Sequence, residues 1–141
     1  MRHVVFHIGS ERYGLPLAAV REVVPPASMS LVPRAPTAVR GIMNLRGRVV
    51  TVVELAGLLG LPAPLPPDGG KVLILDRGRR DLGLQVTGID GIHTLEDVSP
   101  APGEALPSVK GVARQAGGAV TILDADGLEK QIVGLVKPAR G

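Results

Sequence analysis

Hydrophobic residues in this chain are gathered into short runs, and long stretches of helical period are missing. Val4 to Ile8 and Val72 to Leu75 read as alternating strands, each followed by a turn (Gly9 to Glu11; Arg77 to Arg80) into a second strand. A hairpin therefore opens each half of the chain. A second hairpin follows a proline-rich loop: Gly41 to Asn44 with Val49 to Val53, and later Gly111 to Arg114 with Ala119 to Leu123. Their turns centre on Gly47 and on Gly117-Gly118. Glu54 to Leu59 and Asp124 to Leu128 then begin with an acidic residue, where a helix N-terminus favours one, so each half is expected to close with a short helix.

The segment Leu61 to Gly70, LPAPLPPDGG, can continue neither a helix nor a central strand, and it divides the chain into units 1–60 and 71–141. The units repeat each other. Val39, Gly41, Gly47, Val50, Thr51, Gly57 and Leu58 recur at Val109, Gly111, Gly117, Val120, Thr121, Gly127 and Leu128 with no gap. Arg40 with Lys110 and Glu54 with Asp124 are conservative pairs in the same alignment. Upstream, Gly14, Leu15, Val20 and Val23 match Gly83, Leu84, Ile89 and Ile92. Five short strands and a helical turn in each unit point to an all-β fold of two small five-stranded barrels packed together, because a unit of about 60 residues is marginal alone.

Composition narrows the function. Of 141 residues, 45% are hydrophobic, enough for a core, and the absence of cysteine removes disulfides and thiolate metal sites. The strand pattern begins by Val4, before a secretory signal peptide could fit, and the apolar stretch from Val49 to Pro67 is broken by Glu54 and four prolines. A cytoplasmic protein with no membrane insertion is expected. The net charge of +3 raises the question of nucleic acid, but Phe6 and Tyr13 are the sole aromatic residues, and single-strand binders stack bases on exposed aromatic side chains. A basic nucleic-acid module is therefore the disfavoured alternative.

Catalytic chemistry finds little support. His3 and His7 lie four apart on one strand, about 13 Å from each other at strand rise, too far to share a zinc ion. The glycines are spread one per turn, with no phosphate-cradling group, and Asp76, Asp81, Asp90 and Asp97 read as solvated turn carboxylates. No catalytic, cofactor or metal site is expected. What stands out is Asn44-Leu45-Arg46-Gly47, since the repeat keeps the glycine but replaces Asn44 by Arg114 and Arg46 by Ala116. Glu22 likewise faces Gly91 in the repeat. Residues that one copy has and the other folds without are candidates for function.

These marks resemble the CheW-like adaptor domain of bacterial chemotaxis: Tyr13-Gly14-Leu15-Pro16, Val20 to Val23 with Glu22, the Pro33 and Pro36 loop, Gly41 to Gly47, and Val49 to Leu55. The resemblance covers Val4 to Leu128. It implies two SH3-like barrels, no cofactor and no catalysis, and two partners, the regulatory domain of a CheA-type histidine kinase and the cytoplasmic tip of a chemoreceptor. It also implies that Glu22 pairs with Arg46 near the partner contacts, partly buried, and that Val20, Val23, Gly41 and Ile42 seat a receptor helix along a groove, with Asn44 beside them. Two readings compete residue by residue: Arg46 could serve only to pin its hairpin turn, and Val20, Val23 and Ile42 could be core. An equivalent scaffold of a gliding or type IV pilus pathway fits the same marks. The chain ends at Lys137 to Gly141, where relatives often carry a longer helix.

Overall fold

The computed structural model describes residues 1–27, 29–35, 38–61, 65, 66, 68–77, 80–101, 106–115 and 117–136. Pro36, Ala116, much of the linker and the tail from Lys137 lie outside the described residues. Eleven strands and two helices are described: β1 (Arg2–Ile8), β2 (Glu11–Pro16), β3 (Val20–Val24), β4 (Val39–Leu45), β5 (Arg48–Glu54), α1 (Leu55–Leu58), β6 (Lys71–Arg77), β7 (Arg80–Val86), β8 (Gly88–Thr94), β9 (Ser99–Pro100), β10 (Val109–Gln115), β11 (Gly118–Leu123) and α2 (Ala125–Val136). The expected mainly β class and the four hairpins are present.

The strands form two mixed sheets, in the orders β8-β1-β2-β11-β10-β9 and β3-β6-β7-β5-β4. This corrects the expectation that residues 1–60 and 71–141 each build their own barrel. The opening hairpins are exchanged: β1 and β2 join the late strands through the parallel pair β2 with β11, and β6 and β7 join the early strands through β7 with β5. The exchanged arrangement meets a need of β1 and β6. Neither alternates, because Val4 and Phe6 face the core between the sheets while Val5 faces a small core inside its own sheet, and Leu73 and Leu75 are divided in the same way from Val72 and Ile74. A strand apolar on both faces has to be covered on both, and the exchange places each opening hairpin between two apolar layers.

The repeat holds down to its irregularities. The pairing register slips at Arg21 between Val20 and Glu22, and at Asp90 between Ile89 and Gly91. It slips again at Arg40 in β4 and at Lys110 in β10. Gly41 and Gly111 are both buried with the backbone of Ser30 or Ser99 lying where a side chain would stand. The closing helices differ. The first is short, as expected, at four residues, but α2 runs for twelve, because Leu128 and Ile132, one turn apart, enter the central core. Arg77 of β6 fixes this helix, donating to Glu129 Oε1 from Nε at 3.0 Å and from Nη2 at 2.9 Å, and pairing with Asp126.

Glu54 does not cap α1, since its side chain makes no cap hydrogen bond. It is 5% exposed and pairs with Arg40 Nη2 at 2.8 Å. Arg40 also donates from Nε to Gln85 Oε1 at 3.1 Å and to the Leu65 carbonyl, while the Leu65 amide donates to Glu54. Gln85 Nε2 in turn donates to the carbonyls of Pro66 and Gly69. The described part of the linker, which has no ladder partners, is thus hydrogen-bonded to one sheet by a buried polar group of three side chains.

Candidate functional site

The turn joining β4 to β5 places Arg46 and Gly47 at its two central positions, with φ of +51° and +83°. Such a turn matches the twist of a hairpin but asks a side chain to accept left-handed backbone, which glycine does freely and arginine does not. Asn44 steadies it, its Oδ1 accepting from the Gly47 amide at 2.8 Å. Asn44 therefore has a local structural task. Arg46, held in a conformation it disfavours, uses its guanidinium elsewhere.

That guanidinium reaches Glu22 on β3, with Nη2 at 2.5 Å from both carboxylate oxygens. The predicted pair is present. β3 and β4 are the two outer strands of the five-stranded sheet, so the pair runs from one outer strand to the turn that ends the other. Glu22 is half-buried, with 29% of its side chain exposed, whereas Arg46 is 67% exposed. The expected partial burial holds on the glutamate side alone. Hydrogen bonding from Arg46 keeps the Glu22 carboxyl below its ordinary range, and Glu22 raises the Arg46 guanidinium in return.

Beside this pair lies a second ionic group. Asp81, at the start of β7, accepts from Arg21 Nη2 at 3.0 Å and from Arg48 Nε at 2.9 Å, and its Oδ1 also lies 2.9 Å from Arg48 Nη2. It is no solvated turn carboxylate: only 11% of its side chain is exposed, and the hydrogen bond from Arg21, then that from Arg48, lowers its pKa. Sequence reasoning missed it because an aspartate at the mouth of a hairpin has a sufficient local explanation. The signal that could have found it is the repeat, in which Arg12 stands where Asp81 does, paired to β11 as Asp81's strand is to β5.

The four proposed apolar seats divide. Val20 is half-buried and packs against the central core, and Gly41 is buried at φ +147°, where an added Cβ would stand 2.5 Å from the Ser30 carbonyl oxygen. Ile42 is half-buried, and Ser30 bonds to its backbone in both directions. Val23 is the seat that reaches solvent, at 39% exposed. A residue not singled out beforehand, Val49, is 60% exposed directly across the ladder from Asn44.

Elsewhere the candidates resolve into structure. His3 is buried, which lowers its pKa, and His7 Nδ1 lies 2.8 Å from Asp90. Among the described residues no three His, Cys, Asp or Glu side chains are grouped as metal ligands. Phe6 and Tyr13 stack across β1 and β2 with ring centroids 6.2 Å apart, and both are buried, so neither ring is presented to a nucleic-acid base. Among the described residues no helix is long and apolar enough to cross a membrane.

Fold and site together define a duplicated two-sheet β module whose distinctive side chains are presented on a surface. The chain belongs to the CheW-like domain family, which it matches over residues 2–132. It is 29% identical to the chemotaxis protein CheW of Rhizobium meliloti strain 1021 over 113 residues, spanning 79% of this chain and 73% of that protein. It is 27% identical to the chemotaxis protein CheW of Helicobacter pylori over 137 residues, spanning 93% of this chain and 82% of that one. The crystal structure of the scaffolding protein TtCheW from Thermoanaerobacter tengcongensis superposes with a TM-score of 0.80 at 26% identity, over 87% of this chain and 88% of the other.

Proposed function

We propose that this chain is a non-catalytic adaptor that couples chemoreceptors to a CheA-type histidine kinase in chemotaxis-type signalling. The observation that carries the reading is the Glu22–Arg46 pair. It is present in one copy and absent from the other, it sits on the surface, and it lies in a chain whose family match is nearly complete. A fold that needs only glycine at the turn has kept a guanidinium there in left-handed backbone, which local stability does not explain. The adaptor works through contact: by holding kinase and receptor tip against fixed surfaces, it lets a change in the receptor alter kinase output. Interfaces of about 1,200 Å² or less each suit such a weak, reconfigurable assembly. Val23 and Val49 supply apolar contact beside the ionic pair, while Val20, Gly41 and Ile42 act by shaping the scaffold beneath.

The test is binding of the purified chain to a CheA-type regulatory domain and to a receptor-tip fragment, each measured separately. Arg46→Ala and Glu22→Ala are expected to weaken at least one of the two while leaving the thermal midpoint nearly unchanged, because exposed pairs add little stability. Full binding by both variants would refute the site, and failure of the unaltered chain to bind either partner would refute the adaptor reading itself.

A further inference from the structure

The two ionic groups at this end of the five-stranded sheet are one array. Arg21 and Glu22 are consecutive on β3, and at this point the register slips by one residue, so neighbours that would face opposite sides of a regular strand both reach across the sheet. Glu22 turns to Arg46, and Arg21 passes over β6 to Asp81. Arg46 and Arg48 flank Gly47 in the same turn, and Arg48 closes the array by binding Asp81 with two nitrogens.

Every member is replaced in the repeat. Arg21, Glu22, Arg46, Arg48 and Asp81 correspond to Asp90, Gly91, Ala116, Gly118 and Arg12. The register slip itself is kept at Asp90, so the backbone device belongs to the fold and the charges laid upon it do not. Their arrangement also has a direction. The two carboxylates are withdrawn, at 29% and 11% exposure, and the arginines at the hairpin turn stand outermost, at 67% and 55%. Three guanidiniums against two carboxylates leave the array with one net positive charge, and a partner approaching the turn meets cations first.

Resting on the adaptor reading above, we propose that Arg48 is a second contact cation beside Arg46, that Asp81 is its positioning residue, and that the array docks a carboxylate-bearing segment of a partner protein. The chemistry fits the geometry. A guanidinium held by a carboxylate behind it is fixed in place with donors left over, and two such groups on either side of one glycine present forked donors to acidic side chains. Asp81 does not touch the partner; its removal releases Arg21, which is not one of the proposed contacts, and Arg48, which is, so its effect on binding passes through Arg48.

The experiment compares Arg48→Ala, Asp81→Asn and the double variant with the unaltered chain and with Arg46→Ala. Binding to the kinase regulatory domain and to the receptor-tip fragment is measured at several salt concentrations. Arg48→Ala is expected to weaken one partner by roughly two- to fivefold, with a shallower salt dependence, as loss of an exposed charge pair predicts. Asp81→Asn should weaken the same partner, Asp81→Glu should restore part of the loss, and Asp81→Asn should add nothing in the Arg48→Ala background. Unchanged affinity and salt dependence in Arg48→Ala, with Arg46→Ala impaired, would overturn the array and leave the adaptor reading standing. An effect of Asp81→Asn that persists undiminished without Arg48 would overturn the positioning role. Loss of binding by the unaltered chain to both partners would bring down the two readings together.

Discussion

Replacing Glu54 by alanine is expected to cost far more stability than replacing Glu22, although both glutamates pair with an arginine of the same sheet. Glu54 accepts from Arg40 and from the Leu65 amide, and the side chains of the pair are 18% and 6% exposed for Arg40 and Glu54. Removing one partner of a buried pair leaves a charge uncompensated, at a cost of roughly 3 to 5 kcal/mol. The lower end applies here, since Arg40 retains two acceptors in Gln85 and the Leu65 carbonyl. A loss of about 3 kcal/mol corresponds to a fall of roughly 10 °C in Tm for a chain of this size. Glu54→Gln keeps an acceptor without the charge and should lose about half as much. Thermal and urea unfolding measure both, with limited proteolysis of the linker as a second readout, because its carbonyl and amide partners belong to the same network. A loss below about 1 kcal/mol in Glu54→Ala, with the linker still protected, would refute the claim that this buried group secures the linker.

Two further outcomes separate scaffold from contact. Gly41→Ala and Gly111→Ala each set a Cβ against a backbone carbonyl, of Ser30 or Ser99, so both should lose about 2 kcal/mol or more in urea unfolding; a Gly41→Ala chain of full stability that fails to bind would make Gly41 a direct contact instead. The Glu22 carboxyl, followed by NMR titration, should have its midpoint below the ordinary glutamate value and return toward it in Arg46→Ala. Because the folded-state pKa is the depressed one, the contribution of the pair is present above the unfolded-state value and fades as pH falls through the folded one, so the difference between the unaltered chain and Arg46→Ala should vanish in acid.

Hairpins, turns and repeat were legible in the sequence because each has a local cause: glycine where backbone turns left-handed, apolar runs of strand length, and an unbroken alignment of the halves. The Glu22–Arg46 pair was legible through the repeat and the family resemblance. The exchange of hairpins was not. Val4 to Ile8 is apolar on both faces, and periodicity cannot tell whether the second face is covered by the strand's own half or by the other. Nor was the Arg40–Glu54 network, since an acidic residue before a helix already had an explanation in capping. The length of α2 has its cause in Leu128 and Ile132, one helical turn apart, whereas the repeat and its acidic residues pointed only to a short helix in each half.

The exchange bears directly on what an adaptor must do. Had each half folded on its own sheet, a single connection would cross between the two sheets and they could rock against each other, as domains joined by modest interfaces do. Here each sheet contains strands from both halves, joined by the backbone ladders of β2 with β11 and β7 with β5. The central core draws Phe6 and Leu123 from one sheet, Leu73 and Leu84 from the other, and Leu128 from α2. Moving one sheet relative to the other would open that core and pull on the two connections that cross between the sheets, β2 to β3 and β7 to β8, so the surfaces on the two sheets keep a fixed relation. A receptor held by one surface and a kinase held by another would then be set at one geometry, and a displacement of the first would reach the second undamped by flexing of the piece between them.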